Sequence, residues 1–469
     1  MKKIQINARV TKGLADFITP VTSYLKLRDH YTHPVLLESN DFSNKEESFS
    51  FIGLETIASF QVKNKQIRMI WPDKSVERLA VNGIADVPAA LNAFIHSFDI
   101  GYDAPYPLVN GFFGHTNFEG VRYFDTLEFD DEKRIQDIPE MHYELHRFIL
   151  AFNHYKDEYY LIENLVEGWS SQLEDLRRIL FSRNFTTYPF HLSGSETSNL
   201  TDQEFMDLVT KGKHHCQIGD VFQIVLSRQF QQGFTGDEFN VYRILRSINP
   251  SPYLFYFDLG SYKIFGSSPE AQMVIKNGVA RVNPIAGTYR RTGDAEEDLL
   301  KAEALTKDPK ENAEHIMLVD LARNDLGKHT QNVQVKDLKS IHFYSHVMHL
   351  VSTVEGELYP ESNPVQIFAD TFPAGTLSGA PKYKAIELIH GYENVQRSYY
   401  GGAIGYIQLN GDMNQAILIR SFLSKDHKLT YQAGAGVVVS SVEASELQEV
   451  NNKLGALKRA LELAEKIES

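Results

Sequence analysis

The chain predicts an α+β fold, on three observations. Strand-like runs dominate from Val221 to about residue 430. Two of them flank Asn410-Gly411, a dipeptide that favours the tight turn of a hairpin because it tolerates positive φ. Helices enter among these runs at 309–326, at 381–390 and from about 442 onward. Consecutive hairpins imply an antiparallel sheet with helices packed outside it.

The elements follow in order. Residues 1–190 read as short strands and helices without an obvious chemical motif, and residues 4–12 alternate polar and apolar side chains. The polar stretch 191–201 has linker composition, so a boundary is expected there, between an N-terminal region (1–190) and a C-terminal region (200–469). Thr201 and Glu204 form a capping box; Phe205, Leu208, Val209, Gly212 and Cys216 continue as one helical stripe, which Gly219 closes. Residues 221–230 alternate as a strand, with Phe222, Ile224 and Leu226 on one face and Val221, Gln223, Val225 and Ser227 on the other. More strands are expected at 252–257, 262–265, 400–409 and 415–423. Helices are expected at 309–326, 381–390 and from about 442 onward, where Leu447, Val450, Leu454, Leu457, Leu461 and Ala464 make one apolar face.

Composition narrows the function classes. A hydrophobic content of 42% with 23% charged residues argues against disorder. The single cysteine, Cys216, excludes a disulfide framework and fits a reducing compartment; with no apolar leader and no run of membrane-spanning length, a cytoplasmic protein is expected. A formal net charge of −14 repels nucleic acid and anionic membranes. It leaves room for an anionic small molecule, captured locally by a few cations, backbone N–H groups and a metal.

Two carboxylate pairs at helical spacing, Glu311 with Glu314 and Glu446 with Glu449, supply that chemistry. Like charges three residues apart repel by about 0.2–0.5 kcal/mol, so convergence of the two helices would call for a cation, and Mg2+ suits carboxylate oxygens. The alternative is that these acids complement the positive ends of their helices. Arg420 interrupts a run that is apolar on both faces, so a buried guanidinium is expected, paired with an acid from elsewhere or with a ligand carboxylate. Gly434-Ala435-Gly436, after a strand at 429–432, is open to an anion site or to a plain turn. The loop 372–382 runs small and hydroxylic residues into a helix begun by Pro381, a setting for an anion or for a tight turn. His349 lies in an apolar strand, where core packing competes with catalysis.

The ordered blocks Gly219-Asp220-Val221-Phe222-Gln223, Ser268-Pro269-Glu270, Pro284-Ile285-Ala286-Gly287-Thr288, Glu311-x-x-Glu314-His315, the 372–382 loop, Tyr400-Gly401-Gly402, Arg420, Gly434-Ala435-Gly436 and Glu446-x-x-Glu449-x-x-x-Lys453 resemble those of the chorismate-utilising enzymes. The resemblance covers residues 201–458 densely. It implies two antiparallel β-sheets packed as a sandwich with helices outside, the N-terminal region forming part of the same body. It also implies roles. Glu314 and Glu449 bind Mg2+, with Glu311 and Glu446 beside them. Arg420 and Tyr400 hold the enolpyruvyl carboxylate of chorismate, with Gly287, Thr288, Thr376, Gly434, Ala435, Gly436 and Lys453 completing the substrate site. Glu270 is the general acid for the leaving hydroxyl, and His349 belongs to the pyruvate-eliminating half.

Gln223 stands where water-activating relatives carry a lysine; an amide is no base, which leaves ammonia as the nucleophile. Ala286 stands where aminodeoxychorismate-forming relatives typically carry lysine, so anthranilate formation is preferred and the folate-branch reaction is the alternative. Tyr289-Arg290-Arg291-Thr292 departs from the family's usual Arg-Pro-Arg-Gly. Glu38 and Ser39, with Pro252, Tyr253 and Leu254, resemble the family's tryptophan site and imply feedback inhibition. Cys216 sits on a helix outside any nucleophile elbow, so the ammonia is expected from a separate glutamine amidotransferase subunit. From a different class, a non-catalytic aromatic-acid-binding scaffold is the competing reading.

Overall fold

The computed structural model describes residues 3–39, 48–102, 109–343 and 347–467. Its strands join edge to edge into one hydrogen-bonded network. Among the described residues every ladder is antiparallel except that of Ile4–Leu14 with Phe98–Tyr102.

Alternation along the strands explains the layers. Leu254 and Tyr256 point into one apolar cluster while Phe255 and Phe257 point into another; Leu150 and Phe152 divide from Ile149 and Ala151 in the same way. The second cluster draws Val35, Ile149 and Ile162 from the first half of the chain and Phe255, Ile264 and Leu423 from the second, with no residue from a helix, so it is the filling between strand layers. Helices cover the outer faces. Asp202–Ile218, Phe239–Ile248 and Glu443–Ala464 bury Phe205, Tyr242, Leu454 and Leu457 on one; Asp86–Ile95, Pro309–Gly327 and Pro364–Thr371 bury Phe94, Val319 and Phe368 on the other. Each such side chain contributes about 1.5–3 kcal/mol by leaving water. Among the described residues no helix is long and apolar enough to cross a membrane.

The two regions expected from the sequence share their sheets. Val35–Ser39 pairs with Tyr253–Asp258, and Gly111–Thr116 pairs with Ala403–Gln408. The expected linker is a strand, Phe190–Ser198, laid against Gln223–Gly236 with a register shift between Ser193 and Thr197. Its polar composition follows from exposure of nearly every residue after Phe190, because an edge strand needs only its backbone to pair.

Local signals held where they were made by caps. Thr201 and Glu204 cap Asp202–Ile218 reciprocally, and Gly219 ends it at φ 87°. The hairpin Ala403–Gln408 to Met413–Ile417 turns at Asn410-Gly411, with Gly411 at φ 90°. Strand continuity through Arg420 did not hold. The residue sits at φ 50°, half-buried, between Met413–Ile417 and Ser421–Lys425, and its carbonyl accepts from Ser267 N–H. Phe222 likewise precedes its strand and is 72% exposed instead of joining Ile224 and Leu226 in the core.

Candidate active site

The site is built on the pair of strands Gln223–Gly236 and Lys428–Val437, in register at Ser227↔Gly434, Leu226↔Ala435 and Val225↔Gly436. The Gly434-Ala435-Gly436 segment is therefore a continuation of the strand, not a turn after it. Its glycines make room. A Cβ on Gly436 would sit 2.3 Å from Gln223 Nε2, and one on Gly434 would sit 2.7 Å from Leu226 O and 3.2 Å from the Tyr400 hydroxyl. Gly434 N–H donates to that hydroxyl, and Lys453 Nζ donates to Gly434 O at 2.8 Å. Gln223 is buried, and its Oε1 has no protein partner.

Glu270 follows strand Lys263–Ser268 and is fixed at its backbone, whose carbonyl accepts from Ile417 N–H at 2.9 Å. Its side chain is buried, with Oε1 accepting from the Thr376 hydroxyl at 3.1 Å. Burial pushes its carboxyl up to about 8, against the pull of that hydroxyl and of the Arg420 and Lys453 charges. The acid is thus held neutral at pH 7 within reach of two cations. Thr376 lies in the short helix Gly375–Ser378 of the 372–382 loop, and Gly379–Ala380 then pairs with Gln223 and Ile224, tying the loop to the site strand.

His349 lies in strand Val347–Leu358 and donates from Nδ1–H to Gly287 O at 3.0 Å, which fixes Nε2 as the acceptor nitrogen. Burial lowers its pKa to about 4, and the Arg420 and Lys453 charges act in the same direction. Gly287 is at φ 66°, and a Cβ there would stand 2.9 Å from Glu311 Oε2, so glycine is required on both counts. Thr288 pairs with His349 along the backbone; the side chains of Thr288 and Ala286 lie outside the described residues.

The four acids occupy helix starts, as their sequence setting implied. Glu311 and Glu314 are half-buried in Pro309–Gly327, whose first turn Asp308 caps by accepting from Glu311 N–H at 3.1 Å. Glu446 is buried, and Glu449 is 48% exposed with Lys453 at 2.8 Å. Among the described residues no three His, Cys, Asp or Glu side chains stand together as a metal cluster. The donors nonetheless fit Mg2+, which takes one or two carboxylates and fills its remaining positions with water and substrate oxygens. Glu311 borders Gly287, and Glu449 pairs with Lys453, whose ammonium donates to Gly434 O.

The family model of chorismate binding enzymes matches residues 40–459. The chain belongs to the chorismate binding enzyme family. It is 37% identical to anthranilate synthase component 1 of Aquifex aeolicus, over 97% of this chain and 94% of that one, and 37% identical to that of Acetivibrio thermocellus with the same shares. Among solved structures it is similar to anthranilate synthase component I from Streptococcus pneumoniae, at 30% identity, 95% of this chain, 98% of that one and a TM-score of 0.75. The menaquinone-specific isochorismate synthase of Escherichia coli, at 19% identity, 98% of this chain, 96% of that one and a TM-score of 0.72, shares the fold.

In this chorismate binding enzyme the site rests on an ion pair that the motif reading missed. Arg397, fully buried, donates to both carboxylate oxygens of Glu393 at 2.6 and 2.8 Å, to Leu377 O at 2.7 Å and to Val225 O at 2.7 Å, and lies against the rings of Phe118 and Tyr400. Glu393 also accepts from Ser227 N–H at 2.9 Å. An opposite-charge pair four residues apart, just before Tyr399-Tyr400-Gly401-Gly402, was the available signal. The other group from the sequence reading also assembles. Tyr253 lies opposite Ser39 and Leu254 opposite Glu38, with Pro252 adjoining. The Glu38 carboxylate is held by the Tyr242 hydroxyl at 2.6 Å and Arg246 Nε at 2.9 Å.

Proposed function

We propose that this protein converts chorismate and ammonia to anthranilate and pyruvate, as the chorismate-binding component of anthranilate synthase. A glutamine amidotransferase subunit, component II, releases the ammonia from glutamine; tryptophan, the end product of the pathway this step commits to, inhibits. The observation that carries the reading is a buried, neutral Glu270 beside two cations in a site where Gln223 offers no base. The relatives named above support it.

The chemistry follows from the residues. Arg420 and the Tyr400 hydroxyl hold the enolpyruvyl carboxylate, with Lys453 and the Gly434–Gly436 backbone along its side. Glu314 and Glu449 would hold Mg2+, with Glu311 and Glu446 beside them, and when bound the ion supplies Lewis-acid charge for the ring carboxylate. Glu270 gives its proton to the departing 4-hydroxyl oxygen, so the leaving group is water and not hydroxide. Gln223 accepts a hydrogen bond from the incoming ammonia without taking its proton. His349, neutral and with Nε2 set as acceptor, serves the pyruvate-eliminating half. Tryptophan would sit at Glu38, Ser39, Pro252, Tyr253 and Leu254.

The test is product analysis. Chorismate, Mg2+ and ammonium should give anthranilate fluorescence with equimolar pyruvate, and chelation of Mg2+ should abolish both. A 4-amino product without pyruvate would assign the chain to the folate branch instead, and an absence of tryptophan binding by calorimetry would remove the inhibitor site.

A further inference from the structure

Beside Glu270 lies a small cleft, with about 40 Å³ open to water, whose far wall the reaction scheme above does not use. Its lining runs from buried Glu270 and Gln272 to half-buried Leu321 and Asp325. Val282, Pro284, Leu318, Leu321 and Ala322 form apolar walls. The polar groups between them are mostly acceptors. Gln272 is 3% exposed and its Oε1 has no protein partner, while its Nε2 donates to Thr371 O at 3.3 Å. Lys382 Nζ is spent on Asp325 Oδ2 and Thr371 O, each at 2.7 Å. A buried acceptor with no partner costs about 1–3 kcal/mol, and a cleft large enough for a water molecule beside it resolves that cost.

Glu270 has a matching need. Each turnover that expels the 4-hydroxyl as water leaves a carboxylate that must be reprotonated before the next, and Thr376 engages one of its oxygens from the loop side. We propose that the cleft is a proton-delivery conduit, in which water held by Gln272 and Asp325 returns a proton to Glu270 after each turnover. Gln272 is its positioning residue. The inference rests on the reading of Glu270 as general acid. In the chemical step the Glu270 O–H bond breaks as its proton passes to the leaving oxygen, and the ring C–O bond breaks with its electron pair going to that oxygen. In the refilling step the carboxylate takes a proton from a cleft water while that water takes one relayed from bulk solvent, so charge and atoms balance. The charged groups facing Glu270 are Arg420 and Lys453 on the substrate side, with the Asp325–Lys382 pair across the cleft.

The experiment uses the intact chain with Gln272→Leu, which keeps volume but removes the acceptor, and Ala322→Phe, which fills the cleft. Ammonium-dependent anthranilate formation is followed in H2O and D2O, with Gln272→Glu as the conservative rescue. The expected result is a fall in kcat of about tenfold with a larger solvent isotope effect, chorismate KM unchanged, and partial recovery with a small weak acid such as formic acid in the buffer. An unchanged kcat and isotope effect in a folded Gln272→Leu protein overturns the proposal, as does a rise confined to the KM for ammonium, which would make the cleft an ammonium entrance. If Ala322→Phe does not fold, Gln272→Leu decides alone. Failure of the parent reading looks different, because the unmodified protein would then make no anthranilate from chorismate and ammonium.

Discussion

A carboxylic acid donates a proton at neutral pH only if its surroundings make ionisation costly without making it impossible. Burial does the first for Glu270, raising its pKa to about 8, and the Thr376 hydroxyl with the charges of Arg420 and Lys453 limits the rise. In the proposed mechanism the neutral form is the active one. At a fixed concentration of free NH3, activity should therefore be complete below that pKa and lost as pH rises through about 8, where kcat/KM should fall with one proton released. His349, lowered to about 4, stays neutral throughout and adds no limb in this window. Glu270→Gln should cost about 10²–10⁴ in kcat, and Thr376→Val, by removing a donor to the ionised form, should move the alkaline limb higher; a pH–rate profile reads both. A limb that stayed in place in Thr376→Val would detach the hydroxyl from the acid. Glu270 and Gln223 were singled out through the family's motif blocks, and Arg420 and the glycines through their local sequence setting. The Thr376–Glu270 bond was not legible in the sequence, since it joins residues 106 apart and depends on a loop docking against a strand.

At the level of elements, the Arg397–Glu393 pair binds together the pieces that carry the site. It reaches Val225 and Ser227 of one strand, Leu377 of the loop and the Tyr400 ring through a single guanidinium and a single carboxylate. Removing one member of such a pair strands the other charge in a low-dielectric interior. Arg397→Met should cost about 3–5 kcal/mol, read as a fall in the denaturation midpoint, whereas replacing both residues with apolar ones should cost less than the single change. A double variant no more stable than Arg397→Met would mean that the contacts to Leu377 and Val225, not the charge pairing, hold the segments. Elements whose caps and turns were local were readable from the chain, as at Thr201–Gly219 and Asn410-Gly411. The polar edge strand Phe190–Ser198 and the break at Arg420 were not, because backbone pairing and a positive φ leave no mark in hydrophobic pattern. The same holds for the group in which His33 and His142 contact Glu144 while Tyr262 bridges His115 and His142: three histidines scattered through the sequence are joined only by strand register and a turn.

At the scale of the whole molecule, this chain belongs to a chorismate binding family, and the proposed scheme takes its ammonia from a second subunit. Release of ammonia from glutamine needs a reactive thiolate, exposed and held low in pKa by a positive neighbourhood. Cys216, the one cysteine, is buried in helix Asp202–Ile218 under the site strand; its thiol donates to Val437 O at 3.5 Å, and burial raises its pKa. Its surroundings favour packing over nucleophilic attack. With ammonium as the nitrogen source the purified chain should turn chorismate over. With glutamine it should be silent until an amidotransferase subunit is added, and Cys216→Ala should leave the ammonium rate nearly unchanged. The measurement is anthranilate fluorescence with each nitrogen donor, before and after addition of the subunit. Efficient use of glutamine by the chain alone would place the amide hydrolysis within these sheets and remove the partner from the scheme. A subunit that bound yet transferred no nitrogen would keep the complex and reject its role as ammonia donor.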